Sequence, residues 1–158
     1  MLSTGGIQYR YNLEVEDLPW MKIALESVGV FSDEEKTTAI DMALETLRRI
    51  SDYNYIVAIE DNLVGFICYG RIPFTLSSYD IYWVVVNKED HRLGIGSSLI
   101  ARAEEVILSK GGERVFVETS SRYNEAINFY LKNGYRIIHL IENFYKKGDH
   151  KITFRKFL

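Results

Sequence analysis

The spacing of apolar residues along the chain switches between about two and about three and a half, and each switch marks an element. Ile7 to Leu13 (IQYRYNL) alternates and mixes aromatic with aliphatic side chains, as a strand does. Glu14 to Asp17 turns the chain. Asp17 can then cap a short helix with Pro19 in its first turn, Trp20, Ile23 and Ala24 on one face, and Gly29 at its end. Ser32 with Glu35 three places on is a capping box, after which Ile40, Ala43, Leu44 and Leu47 recur at helical spacing. Tyr55 to Glu60 and Leu63 to Ile72 return to short β-rich runs about an Asp61-Asn62 turn, which predicts a hairpin.

Asp80 to Asn87 (DIYWVVVN) barely alternates, so it reads as a central strand covered on both faces. Gly94-Ile95-Gly96 opens a helix with Leu99, Ala103, Val106 and Ile107 inward, and Lys110-Gly111-Gly112 supplies the cation and glycine that helix ends favour. Arg114 to Thr119 reads as another buried strand and Asn124 to Asn133 as a helix closed by Gly134. Tyr135 to Ile141 and Lys151 to Phe157 read as two last strands. The order is β-α-α-β-β-β-α-β-α-β-β. Three strands joined by short turns exclude an all-parallel sheet, while the later strands flank crossover helices, so the fold class is α/β with a mixed sheet. Nothing in the pattern divides the chain, and 1–158 is expected to be one domain.

Composition narrows the function classes. With 47% hydrophobic and 26% charged residues among 158, the chain is far from disordered or low-complexity sequences. A net charge of -3 provides no field for a polyanion, so nucleic acid is not an expected partner. The longest apolar runs fall far short of the roughly 20 residues that span a bilayer. Met1 to Gly6 has no leader pattern, and the lone Cys68 cannot pair within the chain, so a soluble cytoplasmic protein is expected. Three scattered histidines and one cysteine argue against a metal site. Exposed edge strands would allow a homodimer.

The stretch Val84 to Ser98, VVVNKEDHRLGIGSS, carries the most chemistry. A strand runs into a loop and then a helix opening on two glycines, where unpartnered backbone N–H groups and the helix dipole suit a phosphate. It is neither GxGxxG, since Leu99 holds the last glycine's place, nor a P-loop, since the lysine is missing. On spacing alone a phosphate cradle and an ordinary strand-to-helix turn both remain open.

His91-Arg92-Leu93-Gly94-Ile95-Gly96 resembles the Gln/Arg-x-x-Gly-x-Gly/Ala motif of the GNAT superfamily of acyl-coenzyme A dependent N-acyltransferases, departing from it at His91. The resemblance extends over essentially the whole chain, including VETSS at 117–121 and FYKKGD at 144–149. It implies a central splayed sheet and acetyl-CoA as co-substrate. Residues Arg92, Leu93, Gly94, Ile95, Gly96 and Ser97 would form the diphosphate cradle, and the backbone of Val84, Val85 and Val86 would hold the pantetheine arm. Downstream, Ala126, Tyr130 and Gly134-Tyr135 match a second family element, with Tyr123 at its Asn position and Asn124 one place later, which leaves Asn124 as the candidate coenzyme contact. Tyr130 would be the general acid toward the thiolate. Glu118 resembles the base of some branches and Asp80 stands where others place theirs; Glu118 is the expected base of the two, because strand C-terminal ends in open α/β sheets meet the crevice where ligands bind.

Each residue also has a plainer reading. Tyr130 could be a core tyrosine, Glu118 could pair with Arg114 or Arg122, and Asp80 could be a turn residue. Lys146, Lys147, Lys151, Arg155 and Lys156 read as a solvated hairpin. The expected reaction is direct transfer to a primary amine of a small molecule or peptide. A free amine titrates near 10 and a free Glu near 4.3, a gap of roughly 8 kcal/mol, so the proton needs an upshifted Glu118 or a water chain. Tyr79, Tyr82, Phe144 and Tyr145 are expected on the amine side. A non-catalytic coenzyme A binding module is the alternative.

Overall fold

A computed structural model describes residues 6–158, so the leader reading of Met1–Gly6 falls mostly outside the described residues. The strands are β1 (Gln8–Arg10), β2 (Asn54–Ile59), β3 (Leu63–Arg71), β4 (Ser78–Val86), β5 (Arg114–Ser120), β6 (Arg136–Lys146) and β7 (Asp149–Phe157). The helices are α1 (Leu18–Val28), α2 (Asp33–Leu47), α3 (Ile95–Ser109) and α4 (Asn124–Lys132). Short 3-10 turns at Val15–Asp17 and Lys88–Asp90 are the additions to the expected order. Among the described residues the sheet has seven strands in the order β1-β2-β3-β4-β5-β7-β6, mixed because β4 and β5 run parallel while β5 and β7 run antiparallel. The described residues gather into two compact units, one of residues 6–69 and 83–103, the other of 70–82 and 104–158.

In the first unit, β2 is buried along most of its length against β3, in the register Tyr55↔Cys68 to Ala58↔Gly65. Burial pushes the Cys68 thiol up to about 12, so it stays protonated and inert. α2 begins as expected: Ser32 Oγ accepts from the Glu35 N–H (3.1 Å), and the Glu35 carboxylate accepts from the Ser32 N–H (2.7 Å). Three expectations change. α1 buries Met21, Ala24 and Leu25, while Trp20 and Ile23 face outward. The Asp17 side chain does not cap α1; it accepts from the Glu14 N–H (2.8 Å) and pairs with Arg10, closing the 3-10 turn. That tether also ends β1 at Arg10, three residues short of the expected Leu13, because Arg10 folds back onto Glu14 (3.2 Å) and the Asn12 carbonyl (3.2 Å).

In the second unit one sheet face is core and the other mixes charged side chains with Phe116, Ile141 and Phe157. Val115, Val117, Ile152 and Phe154 are buried, and Tyr130 of α4 packs on Phe154 with ring centroids 5.5 Å apart. Lys156 reaches the last carbonyls of α4 at Asn133 O (3.0 Å) and pairs with Glu104 (2.8 Å), which also accepts from the Tyr135 hydroxyl (3.0 Å). Tyr79 is buried against the Gly112 turn rather than on an amine-facing surface. β6 runs on to Lys146 instead of stopping at Ile141. The hairpin closes where the Asn143 side chain accepts from the Gly148 N–H (2.8 Å) and His150 Nδ1 accepts from the Asn143 N–H (2.8 Å).

Candidate active site

The β4-to-α3 turn lies in the first unit. β4 ends at Val86, and the Asn87 N–H donates to Val64 O (2.8 Å), holding the strand end against β3. His91, which replaces the motif's usual Gln or Arg, donates from Nε2 to the Val86 carbonyl (2.9 Å) and ties the turn back to the strand. Arg92 and Gly94 have φ of +73° and +75°, so two left-handed residues flank Leu93 and bend the backbone into a concavity. The Ser98 N–H reaches Gly94 O at 3.0 Å, so the N–H groups of Ile95, Gly96 and Ser97 precede the first intrahelical bond. A Cβ built on Gly94 would meet nothing within 4 Å, so the turn is open on that side. The donor set therefore fits an anionic diphosphate: main-chain N–H groups, a helix start and the Arg92 cation.

Sequence reasoning missed Asn87. Its Oδ1 is buried without a hydrogen-bond partner among the described residues, an orphan acceptor beside the strand end. An unpaired buried amide costs about 1–3 kcal/mol, so such a group marks a site that expects a donor. The sequence signal was the polar residue closing an otherwise apolar strand.

The second unit holds the titratable groups. The parallel ladder runs from Ser78↔Arg114 through Asp80↔Phe116 to Ile81↔Val117, while β4 itself continues to Val86 and β5 to Ser120. Glu118 lies opposite Thr153 and Ser120 opposite Lys151, so Asp80, Glu118 and Lys151 share one sheet face across three adjacent strands. Lys151 Nζ is 3.0 Å from Glu118 Oε1, with side-chain exposures of 17% and 49%, and it sits 4.4 Å from the Phe144 ring centre. Glu118 thus pairs with neither Arg114 nor Arg122, and Lys151 and Lys156 are not the free surface charges expected of the hairpin. Asp80 is half-buried, and its carboxyl is pushed up to about 6, first by burial and then by the Glu118 charge, with Lys151 pulling the other way.

Tyr130 lies on the opposite, helix-covered face, 8% exposed, with its ring against Phe129, Tyr135 and Phe154. Burial pushes its phenol further up, so it stays protonated and keeps an O–H to donate at neutral pH. Asn124 is exposed at the start of α4. Among the described residues no group of His, Cys, Asp and Glu could hold a metal ion, and no helix is long and apolar enough to cross a membrane.

Fold and site features define a class: an α/β protein with a mixed sheet that holds a parallel strand pair, an anion-receptive helix start and a carboxylate-bearing sheet face. Residues 12–135 match the family model of the acetyltransferase (GNAT) family, and the chain belongs to that family. A GNAT-family protein from Desulfovibrio desulfuricans has 31% identity and a TM-score of 0.92, covering 96% of this chain and 99% of that one. The PaiA N-acetyltransferase of Thermoplasma acidophilum, solved with coenzyme A, has 22% identity and a TM-score of 0.73 over 97% of this chain and 99% of its own. The ribosomal-protein-S18-alanine N-acetyltransferase of Escherichia coli has 18% identity and a TM-score of 0.74 over 96% and 94%. The last two share the fold.

Proposed function

We propose that residues 1–158 act as one N-acetyltransferase domain that moves the acetyl group of acetyl-CoA directly to a primary amine of a small molecule or peptide. The observation that carries this reading is the turn from Arg92 to Ser97, with two left-handed residues and a helix start left open to an anion. Main-chain N–H groups of Arg92, Leu93, Gly94, Ile95, Gly96 and Ser97 would hold the diphosphate, with Arg92 adding its charge. The backbone of Val84, Val85 and Val86 would hold the amide-bearing arm, Asn87 Oδ1 would accept one of its N–H groups, and Asn124 would add a polar contact.

Acetyl-CoA supplies the acyl group as a thioester, a better leaving system than an ester or amide. The residues supply the rest. N–H groups of Val84 to Val86 would donate to the carbonyl oxygen as negative charge builds there. Tyr130, kept protonated by burial, would donate to the departing sulfur. The amine's proton would leave to the Asp80 and Glu118 pair. With Asp80 near 6 and an amine near 10, the gap is about four pH units, or about 5 kcal/mol, against the roughly 8 kcal/mol of an ordinary carboxylate. Burial of Asp80 thus narrows the gap by about 3 kcal/mol.

Self-association forms part of the same proposal. The exposed edge strand β6 carries Ile137, Ile138 and Leu140, each between 41% and 49% exposed. Two copies meeting antiparallel about His139 would set Arg136 opposite Glu142 twice.

The test is thiol release from acetyl-CoA across polyamines, aminoglycosides, amino acids and peptide N-termini. Release that depends on an amine and saturates with it supports transfer. Thermal stabilisation by coenzyme A with no release from any amine would leave only a binding module.

A further inference from the structure

We propose that Lys151 is a positioning residue that divides the work of the two carboxylates: its ammonium claims Glu118 and leaves Asp80 as the group that takes the proton. The assignment of that proton to an acceptor amine rests on the acetyl-transfer reading; the division between the carboxylates rests on the geometry of the second unit alone.

Lys151 sits one register row beyond Glu118, since Ser120 pairs with Lys151 and Glu118 with Thr153. Its side chain leans back along the sheet to reach Glu118 Oε1 at 3.0 Å, and the Phe144 ring on β6 lies 4.4 Å from its ammonium. Contacts on two different strands and low exposure hold this cation in place, unlike a surface lysine free to sweep. Asp80 lies two register rows from Lys151, with Phe116 directly opposite, and has no cation within ion-pairing distance among the described residues. Its more enclosed position favours the neutral acid, the state a proton acceptor must reach.

The titratable and charged groups of this face are Tyr82 on β4, Arg114 and Glu118 on β5, Asp149, Lys151 and Arg155 on β7, and Arg136, His139 and Lys146 on β6. From β3, Arg71 turns to the Thr75 carbonyl. The charges that act on Asp80 are those of Glu118 and Lys151, with opposite signs. In the step, the bond from the attacking nitrogen to the acyl carbon forms, the bond from that carbon to the coenzyme sulfur breaks with its electron pair leaving on sulfur as thiolate toward Tyr130, the nitrogen's proton passes to an Asp80 oxygen, and Glu118 stays paired with Lys151.

Opposite signs give a test that needs no substrate. Side-chain carboxyl carbons of the labelled protein are titrated by NMR in the wild type, Lys151→Met, Lys151→Arg and Glu118→Gln. Lys151→Met should raise the Asp80 midpoint by about half a unit or more, Glu118→Gln should lower it, and Lys151→Arg should restore it. Lys151→Gln carries the same expectation should the Met variant not fold. An Asp80 midpoint that ignores loss of the cation, or moves the same way in both variants, overturns the proposal. In parallel, thiol release should show its acid limb moving with Asp80. If the titrations behave as expected and no amine releases thiol, the acetyl-transfer reading fails while Lys151's hold on the pair stands.

Discussion

Replacing Asp80 by Asn should stabilise the protein and disable it at once. The Asp80 carboxyl moves from its usual 3.8 to about 6 on folding, mainly through burial. A raised carboxyl pKa means that the folded state keeps a proton the unfolded state has already lost. The ionised side chain therefore costs stability: nothing below about pH 3.8, a growing amount up to pH 6, and the full amount above it. At ~1.36 kcal/mol per pH unit the full amount is about 3 kcal/mol. Asp80 is only half-buried, and screening by water brings this to about 1.5 kcal/mol. Asn has nearly the same shape and no charge, so Asp80→Asn should gain about 1.5 kcal/mol at pH 8, equivalent to about 3–6 °C in Tm for a chain of this length. The gain should fall to about half at pH 5. Urea denaturation at the two pH values measures both. Amine-dependent thiol release should drop by about 10²-fold or more. A loss of stability at pH 8, or an equal gain at both pH values, would refute the account of why Asp80 is shifted.

Three further outcomes follow from other parts of the molecule. Tyr130→Phe keeps the ring contacts with Phe129, Tyr135 and Phe154 and should leave stability and coenzyme A affinity nearly unchanged while kcat falls about 10²-fold, measured by steady-state thiol release. Arg92→Gly relieves a non-glycine at φ +73° and should raise stability by up to about 1 kcal/mol in urea while weakening coenzyme A binding in calorimetry and flattening its salt dependence. Gly112→Ala places a Cβ 2.2 Å from Ile107 Cγ2 and 2.9 Å from the Ile107 carbonyl oxygen, and should cost about 1–3 kcal/mol by urea denaturation without changing the affinity of the folded protein for coenzyme A.

The chain's own pattern carried the element order, because each helix and strand begins and ends on local chemistry. The Ser32 and Glu35 box, the glycines after α1 and α3, and the apolar run of β4 act within a few residues and do not wait for a partner. The Arg92 to Ser97 turn was legible for the same reason, since the orphan donors of a helix start are a property of the backbone. Tertiary structure decided the rest. Which face of α1 is inward depends on what covers it, so Met21 and Leu25 are buried and Trp20 and Ile23 are not. Glu118 and Lys151 are 33 residues apart in sequence and meet only because β5 and β7 are neighbours in that register. The shift of Asp80 likewise arises from burial and from charges brought in by other strands, and the orphan at Asn87 from burial, so the polar residue that closes β4 marks the position but not its missing partner.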